Sequence, residues 1–141
     1  MGAWGTGTFD NDMAADFLIE YEEGGGGVVE QALKEVQQGA KDGYIDADIG
    51  ASGLAAAEIV AFSLGRAAAG LDDEILKAFK VHDEDVSELV GGAQLASDAV
   101  ALISSADGTS ELYELWSEGE ELEVWLSVVA ELKTRLGSSA Q

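Results

Sequence analysis

The chain has 141 residues and a formal net charge of −21, from 28 Asp and Glu against 7 Lys and Arg. Its length predicts one domain, and its hydrophobic content of 47 % predicts a folded core rather than disorder. The charge argues against nucleic acid and an anionic membrane surface as partners, because both attract basic residues. The absence of cysteine excludes disulfides, thiolate catalysis and zinc–thiolate sites, and the single histidine leaves few histidine metal sites.

The first residues carry neither a basic nor an apolar leader segment, so they do not resemble a signal peptide. No run of 18 apolar residues is present that would span a membrane. We therefore expect a cytoplasmic protein.

The composition favours helices, because alanine is abundant, proline is absent and no segment alternates between apolar and polar residues. We predict an all-α fold: a compact orthogonal bundle of about six helices, with a glycine-rich, irregular N-terminal segment packed on it. A first helix is expected from a cap at Asp10 or Asn11 to about Glu23. The four glycines at 24–27 are predicted to form a loop, since each would cost about 1 kcal/mol inside a helix.

The next part of the chain is predicted to contain a helix and a long loop. The helix covers about 28–38, and the loop covers 39–53. Tyr44, Ile45 and Ile49 are expected to anchor this loop in the core.

A central helix is predicted over 54–69, because this segment is apolar nearly all round. A short helix capped by Asp72 follows, and then a longer one over 83–103. Gly91 and Gly92 are expected to kink the longer helix or to let another helix approach closely.

Two helices are predicted at the end of the chain. Thr109 or Ser110 caps the first of them. The last helix begins at Leu122 and shows the clearest apolar periodicity of the sequence. The domain is predicted to span 1–136, followed by a frayed tail at 137–141.

Glu58 is the candidate functional residue that is hardest to place on a surface, since its neighbours are almost all apolar. A buried carboxylate is costly unless it is paired. One hypothesis makes it a general acid or base, or a ligand-binding carboxylate, in a pocket with Asp12 and Asp16 near the N-terminal segment. The other makes it a structural carboxylate, satisfied by a helix N-terminus, by amides of the N-terminal segment or by an arginine. Arg66, about two turns along the helix, is within reach of a long side chain.

The acidic clusters do not match a metal site. Asp10, Asp12 and Asp16 lie at a predicted helix start, where acids are favourable in any case. A calcium loop beginning at Asp46 would need glycine at its sixth position and glutamate at its twelfth, and both of these positions hold alanine. We predict neither a metal nor a cofactor.

The run WGTGTFDND at 4–12, followed by AADF at 14–17, resembles the opening signature of a small bacterial family, the domain of unknown function 4259. Weaker likenesses are AAAEIVAFSLGR at 55–66 and SELYELWSE at 110–118, so the resemblance covers nearly the whole chain. It implies a bacterial, cytoplasmic, single-domain protein and supplies no catalytic residues, since the family has no established activity. The candidate structural motif in the signature consists of Trp4, Gly5, Gly7, Phe9, Asp10 and Asn11.

The three tryptophans, Trp4, Trp116 and Trp125, are predicted to be core anchors. Trp4 would then fold back onto the C-terminal helices. The alternative is an exposed aromatic hot spot for a partner.

We predict a non-catalytic acidic protein-interaction module, whose most concrete form is an immunity or antitoxin-like protein that covers a basic partner. The acidic excess is spread along the chain without a single block, and solvation alone would also explain it. Two alternatives stay open. One is a small-ligand binder or enzyme built on Glu58, Asp12 and Asp16. The other is a homo-oligomer held by exposed aromatics, and the sequence does not distinguish a monomer from a dimer.

Overall fold

The computed structural model describes residues 7–89 and 91–137, and eight helices lie within these two ranges. They are α1 (Asp12–Gly24), α2 (Gly26–Asp42), α3 (Ala47–Ser63), α4 (Asp73–Lys80), α5 (Asp83–Ser87), α6 (Gly92–Ile103), α7 (Glu111–Ser117) and α8 (Leu122–Gly137). The described residues form no strand, and one isolated parallel bridge joins Ile45 to Ser110. The predicted compact all-α class is confirmed, and the described ranges contain eight helices where about six were expected.

Helix α3 is the centre of the fold. It packs against α1, α2, α5, α6, α7 and α8, and every residue from 53 to 61 is buried, as the apolar composition of this segment predicts. Its small residues allow this close approach: a Cβ added to Gly53 would lie 2.6 Å from Cγ2 of Val36 on α2. The predicted span of 54–69 is wrong at both ends, because α3 begins at Ala47 and stops before Gly65, whose φ is +81°. No helix in the described ranges is long and apolar enough to cross a membrane.

The start of α3 is held by a residue from a distant part of the chain. The backbone N–H of Ala47 donates to Oε1 of Glu111, at 2.7 Å. Two backbone hydrogen bonds join the same segments, from Ile45 N–H to the Thr109 carbonyl (2.8 Å) and from Glu111 N–H to the Ile45 carbonyl (3.0 Å). Because a helix start leaves N–H groups without partners in the helix, the Glu111 carboxylate stabilises α3 there.

The connection between α2 and α3 is confined to 43–46, so the predicted loop over 39–53 is wrong. Of its three expected anchors, Ile45 is fully buried and Ile49 is half-buried, but Tyr44 is 43 % exposed. The prediction of Tyr44 as a core anchor is therefore wrong.

The glycines at 24–27 do not form the predicted loop. Helix α1 continues through Gly24 and α2 begins at Gly26, with Gly25 alone between them at a φ of +81°. Glycine is favoured at such a positive φ. A Cβ added to Gly26 would lie 2.9 Å from Cβ of Asp85 on α5. The close packing of α5 against the junction of α1 and α2 explains why glycine is present there. This packing offsets the low helix propensity of the glycines.

The predicted helix over 83–103 is two helices, α5 and α6, because Gly91 at a φ of +68° interrupts it. Three predicted caps are confirmed. The side chains of Asn11, Asp72 and Ser110 each accept a hydrogen bond from the backbone N–H three residues later.

Trp116 and Trp125 are buried and stacked, with ring centroids 6.2 Å apart and 15° between the planes. The prediction of core anchors is confirmed for these two residues. Trp4, Gly5 and residues 138–141 of the predicted tail lie outside the described residues.

Candidate functional site

Glu58 lies in the second half of α3, with 3 % of its surface exposed. Its carboxylate accepts three hydrogen bonds: from Nη1 of Arg135 (3.0 Å), from Nη2 of Arg135 (3.1 Å) and from Oγ1 of Thr8 (3.1 Å). A bidentate contact with a guanidinium is the strongest form of a carboxylate–arginine pair. The structure therefore places Glu58 in a buried, balanced ion pair.

Arg135, in the last turn of α8, joins several parts of the chain. Besides Glu58, it donates from Nε to Oε2 of Glu131 (2.7 Å) and from Nη1 to the backbone carbonyl of Arg66 (2.9 Å). Burial by itself lowers the pKa of a guanidinium, but the hydrogen bonds and charges of Glu58 and Glu131 hold the pKa of Arg135 above its usual value. Arg66, expected as the arginine beside Glu58, contributes its carbonyl instead, and the guanidinium comes from 77 residues along the chain.

The described part of the N-terminal signature forms a turn that is tied to α3 and α4. Within it, Gly7 N–H donates to Oδ2 of Asp10 (3.1 Å) and Asp10 N–H donates to the Gly7 carbonyl (3.0 Å). Thr8 reaches Glu58, and Phe9 is buried with its ring centroid 5.5 Å from that of Phe79 on α4. The side chains of this turn are thus used to hold the segment against the helices.

A cleft of about 700 Å³ opens beside the Glu58–Arg135 pair. Three parts of the chain form its walls: the turn at 7–10, the link between α3 and α4 at 68–72, and one side of α8. Its volume lies within the range of small-ligand pockets. The charged side chains on its described lining are Asp10, Glu58, Asp72, Glu131 and Arg135, so its net charge is negative.

Asp12 and Asp16 do not line this cleft. Both are exposed on α1, so the structure does not bring them together with Glu58 in one pocket. No group of three or more His, Cys, Asp or Glu side chains is placed to hold a metal ion in the part of the chain that the structure describes.

One long stretch of the chain contains acidic residues and no Lys or Arg. Residues 81–132 contain 13 Asp and Glu and no Lys or Arg. Five of these acids are exposed where α7 meets α8, and we term them the α7–α8 acidic corner: Glu114, Glu118, Glu120, Glu121 and Glu123. Within 7–89 and 91–137, none of the five forms an ion pair with a Lys or Arg. Val124, which is 50 % exposed, adjoins the corner.

Four large hydrophobic side chains are exposed among the described residues: Ile19, Tyr44, Val81 and Val124. Tyr44 is the single aromatic among them. Among the described residues, Tyr44 is thus the aromatic side chain that is exposed enough to serve the homo-oligomer alternative.

Thr8 and Arg135 were not candidates from the sequence. For Arg135 a signal exists, because it follows Val128 by seven residues and Leu132 by three, which places it beside the apolar stripe of the last helix. A cation in that position predicts a partly buried partner. For Thr8 the sequence offers no such signal, since its contact depends on how residues 7–11 turn.

A family model, described as a domain of unknown function (DUF4259), matches residues 2–128. No curated protein and no solved structure matches the chain. The matched region contains Glu58, Thr8 and the α7–α8 acidic corner, and it ends before Arg135. Because the match covers most of the sequence, the chain belongs to the DUF4259 family.

Proposed function

We propose that the protein is a non-catalytic acidic binding protein that captures a basic protein partner. The observation that carries this proposal is the α7–α8 acidic corner, where five exposed carboxylates have no Lys or Arg partner among the described residues. Like charges held close together repel one another and do not stabilise the fold. Such a concentration of charge is useful when a partner of opposite charge neutralises it.

The arrangement of the corner suits electrostatic steering. Glu120, Glu121 and Glu123 lie within four residues, well inside the screening length of about 10 Å at 0.1 M salt, so they attract a cation together. Exposed Val124 supplies an apolar contact beside them. Protein interfaces commonly combine such an apolar centre with a polar rim.

The geometry of Glu58 supports a structural role for this carboxylate rather than a catalytic one. A general base needs a carboxylate oxygen that can reach a substrate proton. Both oxygens of Glu58 are instead engaged by Arg135 and Thr8. In its most concrete form the proposal describes a cytoplasmic immunity or antitoxin-like protein that covers the surface of a basic toxin.

Affinity capture from a lysate of the source organism tests the proposal, at about 50 mM and about 500 mM NaCl. We expect a basic protein to be retained at low salt and released at high salt. A corner variant that combines Glu118→Gln, Glu120→Gln, Glu121→Gln and Glu123→Gln should lose this capture.

The matched control changes four exposed acids on α1 and α2 and therefore has the same net charge: Glu20→Gln, Glu22→Gln, Glu23→Gln and Glu35→Gln. It should retain the partner. Absence of any salt-released basic protein would contradict the proposal. Equal loss of capture in both variants would show that overall charge, and not the corner, is responsible.

A further inference from the structure

The outer side of α8 connects the α7–α8 acidic corner to the cleft. Val124, Ser127, Val128 and Glu131 follow one another at helical spacing, which places them on one side of the helix. Val124 is exposed beside the corner, and the other three residues line the cleft. The rise along α8 from Glu123 in the corner to Glu131 in the cleft is about 12 Å. A partner bound at the corner therefore needs to extend only about 12 Å along α8 to place a side chain in the cleft.

The charges of the cleft select a cationic occupant. With Glu58 balanced by Arg135, the described lining keeps a formal charge of −3 from Asp10, Asp72 and Glu131. One oxygen of each of these carboxylates accepts an internal hydrogen bond, but only the bond to Glu131 comes from a charged group, and that group is Arg135 itself. Arg135 already donates hydrogen bonds to Glu58, to Glu131 and to a backbone carbonyl. An anionic ligand would thus enter a negative cleft whose guanidinium is engaged.

The cleft also offers apolar surface. Leu71, Ile75 and Val128 are half-buried on its lining. Lys and Arg side chains lay their methylene stems along apolar surface while the charged group reaches polar atoms. We infer that the cleft receives the cationic side chain of a Lys or Arg presented by the basic partner. The existence of that partner rests on the proposed function, whereas the choice of cleft and side chain rests on this lining.

Binding of short peptides to the full chain tests the choice of side chain. The probes are blocked tripeptides with Lys, Arg or acetyl-Lys between two glycines, and the readout is the backbone amide spectrum of ¹⁵N-labelled protein. We expect saturable shifts at Gly7, Gly70 and Ser127 with the Lys and Arg peptides. Acetyl-Lys, which has lost its charge, should bind at least about tenfold more weakly. Equal binding of the acetylated peptide, or shifts confined to the corner, would overturn the inference.

Filling the cleft tests its location. Ala69 is exposed on the lining, and Ala106 is an exposed loop alanine elsewhere, so Ala69→Trp and Ala106→Trp form a matched pair. Ala69→Trp should weaken binding of the Lys peptide at least about tenfold by occupying the space, and Ala106→Trp should leave it unchanged. Ser127→Trp, on the α8 wall, provides a second filled cleft. Wild-type affinity in both filled variants would overturn the inference.

Capture of the whole partner separates this inference from the proposed function. If Ala69→Trp captures the basic partner as the wild type does, the assignment of the cleft fails and the proposed function stands. If the wild type captures no basic protein but binds the Lys peptide in the cleft, the proposed function fails and the assignment of the cleft stands.

Discussion

Removal of Glu58 is the perturbation whose effect on folding follows most directly from the structure. Loss of one partner from a buried ion pair costs about 3–5 kcal/mol, because the other charge stays buried without compensation. The Arg135 side chain is 13 % exposed and keeps its contacts with Glu131 and the Arg66 carbonyl. We therefore expect Glu58→Leu to lower the free energy of unfolding by about 3 kcal/mol, near the lower limit, and to lower Tm by about 10 °C.

Urea unfolding followed by tryptophan fluorescence measures this loss, and a double-mutant cycle assigns it to the pair. The variant with both Glu58→Leu and Arg135→Leu removes both charges, so its loss should be smaller than the sum of the two single losses by about 2 kcal/mol. Glu131→Gln is the control, because it changes an exposed partner of Arg135 and should cost less than about 1 kcal/mol. A loss below about 1 kcal/mol in Glu58→Leu, or strictly additive single losses, would refute the reasoning.

Three other features give predictions of their own. Burial raises the pKa of Tyr21 from about 10 to about 12. Above pH 10 the Tyr21 hydroxyl therefore loses its proton in the unfolded chain before it does so in the folded protein. The stability that Tyr21 contributes is complete below pH 10 and is lower by about 1.4 kcal/mol at pH 11. Urea unfolding of Tyr21→Phe between pH 9 and 11 should lack this decline, and an identical decline would assign it to other groups. Gly39→Ala should lower the free energy of unfolding by about 1–2 kcal/mol in thermal melts, because the added Cβ would lie 2.8 Å from a backbone oxygen. Gly27→Ala, in the same helix, should be neutral or stabilising, because its Cβ would meet nothing within 4 Å. Equal destabilisation by the two substitutions would contradict the inference that Gly39 is needed for close packing. Glu111→Ala should lower the free energy of unfolding by about 1 kcal/mol, because it removes the acceptor of the Ala47 N–H hydrogen bond. Glu111→Gln keeps an oxygen acceptor and should retain most of this stability in thermal melts. Equal losses in the two variants would argue against a capping role for Glu111.

Features that depend on neighbouring residues were predictable from the sequence. The caps at Asn11, Asp72 and Ser110 need only the backbone N–H three residues later. The buried character of α3 follows from its composition, and the last helix follows from its apolar period. These signals are local, and they fixed the fold class.

Features that depend on distant contacts were not predictable. The start of α3 at Ala47 is set by Glu111, 64 residues away. The short junction between α1 and α2 depends on glycine because Asp85 approaches it closely. Each contact overrides a local preference, which is why the loops expected at 24–27 and 39–53 are too long.

The candidate site shows the same division. The apolar surroundings of Glu58 predicted a buried carboxylate near the N-terminal segment, and the structure places it beside Thr8. Its pairing with Arg135 requires the register of α8 against α3, which sequence spacing does not contain. The lack of Lys and Arg over 81–132, by contrast, is visible in the sequence, but the even spread of the acidic excess along the chain drew attention away from it.

The proposed function requires that the α7–α8 acidic corner attract a basic partner. The most direct measurement is the association rate constant of the captured partner at about 50 mM and about 500 mM NaCl, for the wild type, the corner variant and the α1–α2 control. We predict that high salt slows association with the wild type at least about tenfold. At low salt the corner variant should associate as slowly as the wild type does at high salt, and the control should match the wild type. An association rate constant that changes neither with salt nor with the corner would contradict the account.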